Sequence, residues 1–239
     1  MILAALTLLA TLTSSDAVVV LLNSRNAVSA KAYGQAREIV EKDARTGKPL
    51  QQFVIGVTTD DQKLAKECLA ASRGKIRQLA EEKNNSLAWY LLSVEKNDRQ
   101  CLQKAADGGN IQALNALGTI ALQEALSRTD ISSNELVRVL AKSFSCFRQT
   151  ALKRDPNGFV NLGMCYLRGF GCQQDRDLAF ACFKAAADAG HPEGMDNMAL
   201  CYERGYGVER DDELGLLWRM RARAERGDKA AARWLKERP

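Results

Sequence analysis

The chain has 239 residues, of which 46% are hydrophobic and 6% are aromatic, and its formal charge is +5 at pH 7. This length and apolar content exclude a disordered or collagen-like chain and allow a substantial core. The net charge is too small for a typical nucleic-acid-binding protein, so we expect no nucleic-acid partner. The chain holds a single histidine, which excludes metal sites built from several histidines.

Residues 1–17 are predicted to be a cleaved signal peptide. The segment is apolar as far as Leu12, and Ser15 and Ala17 occupy the small-residue positions that signal peptidase reads. No Lys or Arg precedes the apolar run, so an uncleaved apolar helix or membrane anchor is the alternative. Cleavage predicts an exported protein, periplasmic or secreted, and its absence predicts a cytoplasmic one. Asp16 and an apolar run of only about 12 residues argue against a membrane anchor, and we expect no membrane span in the mature chain.

Residues 26–109 are predicted to be an N-terminal helical region with degenerate repeats. Apolar residues at helical spacing predict helices over 27–42, 50–57, 61–71, 75–82 and 86–94. Gly74 is predicted to end the third of these helices. Whether this region consists of further repeats or forms a separate cap stays open at this point.

The second half of the chain repeats with a period of 36 residues. Such a period indicates stacked helix pairs, each with a helix A and a helix B, that bury their apolar faces against their neighbours. We therefore predict an all-α fold, a right-handed α-solenoid, with units at about 110–154, 155–190 and 191–227 and a capping helix at 228–239. Residues paired by the shift are Phe144 with Phe180, Cys146 with Cys182, Phe147 with Phe183, Pro156 with Pro192, Tyr166 with Tyr202, Gly169 with Gly205 and Gly171 with Gly207.

Several residues of each unit have predicted structural roles. A glycine inside a helix costs about 1 kcal/mol relative to alanine, so Gly118 and Gly163 are predicted to lie at close helix contacts. Glycines in the turns supply positive φ angles, and Asp175 and Asp211 are predicted to cap the helices that follow. The repeat-structural residues are Leu117, Gly118, Leu162, Gly163, Tyr166, Gly169, Gly171, Tyr202, Gly205 and Gly207.

The segments LGMCYLRGFGCQQDRDLAFACFKAAADAGH at 162–191 and MALCYERGYGVERDDELGLLWRMRARAERGD at 198–228 resemble Sel1-like repeats, a family related to tetratricopeptide repeats. The second segment has Ala199 where the family has glycine. The unit at 113–151 keeps Leu117-Gly118 but lacks the tyrosine and the Gly-x-Gly turn. The resemblance covers about residues 103–235. It implies a non-enzymatic, bacterial adaptor that binds another protein or peptide as a monomer, with no cofactor and no metal.

By analogy with tetratricopeptide units, the outward positions of helix A line a groove that binds a peptide. Their mixture of apolar and basic side chains predicts a ligand of acidic character. The alternative is that Arg168 and Arg204 form ion pairs with acidic residues of a neighbouring unit. Counted from the Leu-Gly pair, the predicted groove residues are Asn115, Thr119 and Gln123, then Val160, Met164 and Arg168, then Asp196, Leu200 and Arg204.

The seven cysteines allow more than one interpretation. Four of them share one helix B position, and equivalent positions on stacked helices lie about 10 Å apart, which is too far for a disulfide. A bridge from Cys165 or Cys201 to a helix B cysteine stays open, and Cys172 in a turn is the most exposed thiol. We favour unpaired cysteines that act as small apolar residues. The four helix B cysteines are Cys68, Cys101, Cys146 and Cys182.

No catalytic residues are predicted. His191 follows Gly190 at the start of a linker and is expected to be structural. One alternative function is a β-lactam-binding, β-lactam-hydrolysing or cell-wall-associated protein. It follows from a cysteine-rich branch of the family, whose cysteine positions are held here by Ala187 and Met195. The other alternative is a thiol-dependent redox or cofactor-handling protein.

Overall fold

The computed structural model describes residues 30–58 and 61–237, so the predicted signal peptide at 1–17 lies outside the described residues. Every regular element in the described part of the chain is an α-helix. The helices are α1 (Ala30–Arg45), α2 (Pro49–Thr58), α3 (Gln62–Lys83), α4 (Ser86–Lys96), α5 (Arg99–Asp107), α6 (Ile111–Ser127), α7 (Ser133–Leu152), α8 (Pro156–Arg168), α9 (Arg176–Asp188), α10 (Pro192–Arg204), α11 (Asp212–Glu225) and α12 (Lys229–Glu237).

Short polar side chains begin many of these helices. Asp175 accepts a hydrogen bond from the backbone N–H of Leu178 at the start of α9, and Asp211 does the same for Leu214 in α11. These bonds satisfy amide groups that have no partner within the helix, and their loss typically costs about 1 kcal/mol. The prediction that the two aspartates cap these helices is confirmed.

The prediction that Gly74 ends a helix is wrong, because α3 continues through it. Ser72, Ile76 and Ala80 lie buried along one face of α3, on both sides of the glycine. Burial of that face stabilises the helix, whereas an interior glycine costs only about 1 kcal/mol. A Cβ atom on Gly74 would meet nothing within 4 Å, so no close contact accounts for this glycine.

The described residues form two compact units, residues 30–113 without the gap at 59–60, and residues 114–237. In the first unit, α2 packs between α1 and α3, and α4 packs between α3 and α5. Helices α2 and α4 also contact each other. This is the neighbour order of two helix pairs in tandem, with Phe53, Ile76 and Leu91 fully buried in the core.

In the second unit, the helices from α7 to α12 pack in chain order, each against the next, and α8 also contacts α10. Because each pair buries its apolar face against the adjacent pair, this is the packing of an α-solenoid. The prediction of an all-α solenoid is confirmed. In this unit α6, α8 and α10 are the A helices, and α7, α9 and α11 are the B helices.

Glycines in helix A make room for phenylalanines of helix B. A Cβ on Gly118 would lie 2.6 Å from Cε1 of Phe147, and a Cβ on Gly163 would lie 2.6 Å from Cε1 of Phe183. The close contacts predicted at the two glycines are therefore confirmed. In the last repeat Ala199 stands at the glycine position, and Arg219 stands 36 residues after Phe183.

The side-chain contacts between successive repeats also recur. The rings of Phe144 on α7 and Tyr166 on α8 meet edge to face with centroids 5.6 Å apart, and Phe180 and Tyr202 repeat the contact at 5.8 Å. Such pairs contribute about 0.5–1.5 kcal/mol beyond their buried area. Gly171, with φ +72°, lies so close to a backbone carbonyl of α7 that a Cβ would collide with it. The 36-residue period thus corresponds to a repeated contact between neighbouring pairs.

Candidate functional site

The first predicted groove residue of each A helix, namely Asn115, Val160 and Asp196, is buried or engaged in a contact within the protein. Val160 is only 2% exposed, so the prediction that it lines an open groove is wrong. Nδ2 of Asn115 donates to Oδ2 of Asp155, which caps α8, at 2.8 Å. Asp196 forms an ion pair with Arg226 at 2.6 Å. These three residues therefore make contacts within the protein and do not line an open groove.

The remaining predicted groove residues reach the surface to different degrees. Thr119 and Gln123 on α6 are exposed, whereas Met164 on α8 is half-buried and packs against the core around Phe183. The positions nearest the C-terminal ends of the A helices are the most accessible in α8 and α10. Arg168 and Arg204 occupy them, and both are exposed.

Three of the predicted residues come together in one concavity of about 510 Å³. Arg168, Leu200 and Arg204 line it, where α8 and α10 end. The turn after α10 contributes Tyr206, and the first residue of α9 contributes Arg176. We call this concavity the arginine pocket.

Sequence reasoning missed Arg176 and Tyr206 as site residues. Cζ of Arg176 lies 4.9 Å from the centroid of the Tyr206 ring, which is a cation–π contact. The two residues are 30 positions apart, so only the stacking of one repeat on the next brings them together. The sequence signal that points to Tyr206 is its position as the aromatic residue within a Gly-x-Gly turn.

The arginine pocket holds positive charge without a carboxylate. None of the ion pairs found among residues 37–58 and 61–237 includes Arg168, Arg176 or Arg204. Nearby acidic residues are engaged elsewhere: Glu203 pairs with Arg219 at 2.6 Å, and Asp212 pairs with Arg210 at 2.9 Å. The alternative that Arg168 and Arg204 are neutralised by a neighbouring unit is not what the structure shows. The ion pairs found are those of Arg37, Lys48, Arg73, Arg128, Lys184, Arg210, Arg219, Arg223 and Arg226.

All seven cysteines are free thiols. Burial raises the pKa of Cys165 and of Cys201 to about 12, and it raises the pKa of Cys182 to about 11. The thiolate is the nucleophile in cysteine chemistry, so these thiols are unreactive near neutral pH. Sγ of Cys172 lies 3.5 Å from the carbonyl oxygen of Cys165. Cys146, Cys165 and Cys201 are buried and act as small packing residues.

His191 is a buried helix cap. Its Nδ1 accepts a hydrogen bond from the backbone N–H of Gly194 at 3.3 Å, and its Nε2 lies 3.2 Å from Oδ1 of Asn157. The first bond requires an unprotonated Nδ1, which leaves Nε2 as the donor to Asn157. Burial, aided by the charge of Arg226, lowers the pKa of His191 to about 4. The prediction of a structural role for this residue is confirmed.

The described residues hold neither a metal cluster nor a membrane-spanning helix. Within residues 30–58 and 61–237, no group of three or more His, Cys, Asp or Glu side chains has an arrangement suited to a metal ion. Over the same described ranges, no helix combines the length and apolar character needed to cross a bilayer.

Comparison with known proteins identifies the repeats. The family model described as "Sel1 repeat" matches residues 99–110, 160–191 and 192–218. None of the curated proteins compared matches the chain.

Two solved structures are similar to parts of the chain. One is a Sel1 repeat protein from Oxalobacter formigenes, 27% identical, with a TM-score of 0.45 over 53% of this chain and 89% of that one. The other is a protective antigen of uropathogenic Escherichia coli with an SLR fold, 17% identical, with a TM-score of 0.39 over 85% of this chain and 59% of that one. The matched residues 160–191 and 192–218 include the helix pairs with recurring contacts, and these repeats are similar to Sel1 repeats.

Proposed function

We propose that this protein is an interaction scaffold that binds an acidic segment of a partner protein along α8 and α10. Sel1 repeats generally mediate protein–protein interactions, and Sel1 repeat proteins are typically non-catalytic. The observation that carries the proposal is the arginine pocket, in which three guanidinium groups without carboxylate partners lie beside Leu200 and Tyr206.

The composition of the pocket suits a segment with both charged and apolar side chains. Guanidinium groups bind carboxylates through two parallel N–H donors, which makes them specific for anionic partners. Leu200 is half-buried and Tyr206 presents an aromatic ring, so an apolar side chain of the partner gains contact area next to the charges. Peptide segments are commonly recognised in this combined way.

The test is charge reversal at the two arginines that end the A helices. We expect the double variant Arg168→Glu, Arg204→Glu to bind short peptides rich in Glu and Leu at least about tenfold more weakly, because repulsion replaces attraction. Binding is measured by fluorescence anisotropy, and helix content by circular dichroism. Both residues are exposed and unpaired, so thermal stability should change little.

Arg221→Glu is the matched control. Arg221 is an exposed arginine of the same unit, and it stacks on Trp218 rather than lining the pocket, with its Cζ 4.6 Å from the ring centroid. We expect this variant to bind the peptides as the unaltered protein does. Equal binding by the double variant and the unaltered protein would show that the pocket is not the docking site.

We further propose that the scaffold is an exported bacterial protein that works in the cell envelope. The support is the apolar segment at 1–17 with small residues at the cleavage positions. Mass spectrometry of the N-terminus of the protein isolated from its own cells tests this. A chain that begins after Ala17 supports export, and a chain that retains residues 1–17 contradicts it.

A further inference from the structure

We propose that the arginine pocket binds a phosphate monoester on the docked segment, so that the phosphorylated form of the partner is the preferred ligand. The inference rests on the proposed function, because it names the chemical group that the same pocket selects. It uses Arg176 and Tyr206 in addition to the two arginines that end the A helices.

Three helices each contribute one arginine to the pocket. Arg168 ends α8, Arg176 begins α9 and Arg204 ends α10, and all three residues line the same concavity. A volume of about 510 Å³ is large enough for a phosphorylated side chain and its flanking backbone. A phosphate offers three terminal oxygens, and each arginine can donate two hydrogen bonds to such an acceptor.

Part of the pocket is ordered before a ligand binds. The guanidinium group of Arg176 stacks on the ring of Tyr206, which favours one position of this side chain. Two residues before Arg176, Nε2 of Gln174 donates to the carbonyl oxygen of Leu167 at 2.8 Å, which fixes the turn between α8 and α9. A donor that is already ordered loses less conformational entropy when it binds, so the ligand gains affinity.

The charge of the pocket favours an anion. Its lining includes three arginines and no Asp or Glu, and a bound anion reduces the repulsion among like charges. A phosphate monoester carries about −1.5 to −2 charges at pH 7, compared with −1 for one carboxylate. It therefore neutralises more of the pocket from a single position. A carboxylate side chain binds the same pocket with lower affinity.

The test compares three sets of peptides in which one position is phosphoserine, glutamate or serine and the flanking positions vary among Glu, Leu and Ala. We expect phosphoserine peptides to bind at least about tenfold more tightly than their glutamate counterparts, and serine peptides to bind most weakly. Inorganic phosphate should compete with the phosphoserine peptides. Dissociation constants are measured by fluorescence anisotropy at a fixed salt concentration.

The variant Arg176→Gln tests the phosphate preference separately from the binding of acidic peptides. It leaves Arg168 and Arg204 in place, so binding of the glutamate peptides should persist while the preference for phosphoserine falls to near unity. Arg221→Gln is the matched control, since Arg221 also stacks on an aromatic ring of this unit, and it should keep the full preference. Circular dichroism confirms that each variant is folded.

The outcomes separate this inference from the proposed function. Equal binding of phosphoserine and glutamate peptides, with loss in the variant Arg168→Glu, Arg204→Glu, overturns the phosphate preference and leaves an acidic docking site. A preference that survives in Arg176→Gln also overturns it. Absence of binding by every peptide set contradicts both proposals. Binding to phosphoinositide vesicles without binding to any peptide would replace the protein partner with a membrane and overturn both.

Discussion

Cε1 of Phe183 would lie 2.6 Å from a Cβ atom on Gly163, so the phenyl ring of helix B fills the space that this glycine leaves open. Phe183 is fully buried, and it belongs to the core cluster that includes Met198 and Cys201. The glycine is therefore required by packing, although it lowers the intrinsic stability of α8.

We expect Gly163→Ala to destabilise the second unit by up to about 2 kcal/mol. Overpacking of a core costs about 1–3 kcal/mol, and the higher helix propensity of alanine offsets about 1 kcal/mol of this. Urea denaturation followed by circular dichroism measures the difference.

Gly74→Ala is the comparison for that variant, because a Cβ there meets nothing within 4 Å. It should stabilise the first unit by about 0.5–1 kcal/mol through helix propensity alone. A stabilising Gly163→Ala would refute the packing role of the glycine.

We expect alanine substitution at two glycines with positive φ angles to lower the unfolding free energy by different amounts. Gly171 has φ +72° and lies against a backbone carbonyl of α7, whereas Gly190 has φ +80° and open space around it. Gly190→Ala should cost about 1–2 kcal/mol for the left-handed conformation alone. Gly171→Ala should cost distinctly more, because the joint between repeats must also move. Equal losses of unfolding free energy would show that the carbonyl contact contributes nothing.

The stability of the protein should fall in mild acid because of His191. Its pKa is about 4 in the folded protein and about 6.5 when unfolded, so the unfolded state binds more protons between these values. The unfolding free energy is therefore highest above pH 6.5, and it decreases by up to about 3 kcal/mol as the pH falls towards 4.

Urea denaturation at pH 7 and at pH 4.5 measures this effect. Asparagine is a good N-cap that does not titrate, so His191→Asn should remove most of the pH dependence. If the unaltered protein and His191→Asn lose the same free energy of unfolding between the two pH values, another group is responsible.

The buried thiols should resist alkylation. Because the pKa of Cys165 and of Cys201 is about 12, we expect iodoacetamide at pH 7.5 to modify both far more slowly in the folded protein than in urea. Mass spectrometry of peptides from the non-reduced protein gives the extent at each cysteine. Fast modification of the folded protein, or a disulfide at either residue, would favour the thiol-dependent alternative.

The repeating part of the fold follows from the sequence because its contacts recur at a fixed spacing. Once residues 36 positions apart are recognised as equivalent, the turns at Gly169 and Gly205 and the caps at Asp175 and Asp211 are predictable from local chemistry alone. Their hydrogen bonds lie within a few residues of each other, so no knowledge of distant parts is needed.

The sequence predictions were wrong or incomplete where packing between distant segments determines the structure. Gly74 is a helix breaker by composition, yet the buried face of α3 keeps the helix intact. Val160 is predicted to face outward by analogy with tetratricopeptide units, but in the repeat stack it is buried. Arg176 gains its aromatic partner only through Tyr206 of the next repeat. Each case depends on how one segment docks on another, which periodicity does not encode.

The arginine pocket is shared between two successive modules, since Arg168 and Arg176 belong to one and Arg204 and Tyr206 to the next. A ligand that contacts both modules stabilises the junction between them. The affinity of the ligand and the free energy of opening the junction are therefore thermodynamically linked. A bound partner would thus stabilise the closed junction of the solenoid, and local opening of the junction would release the partner.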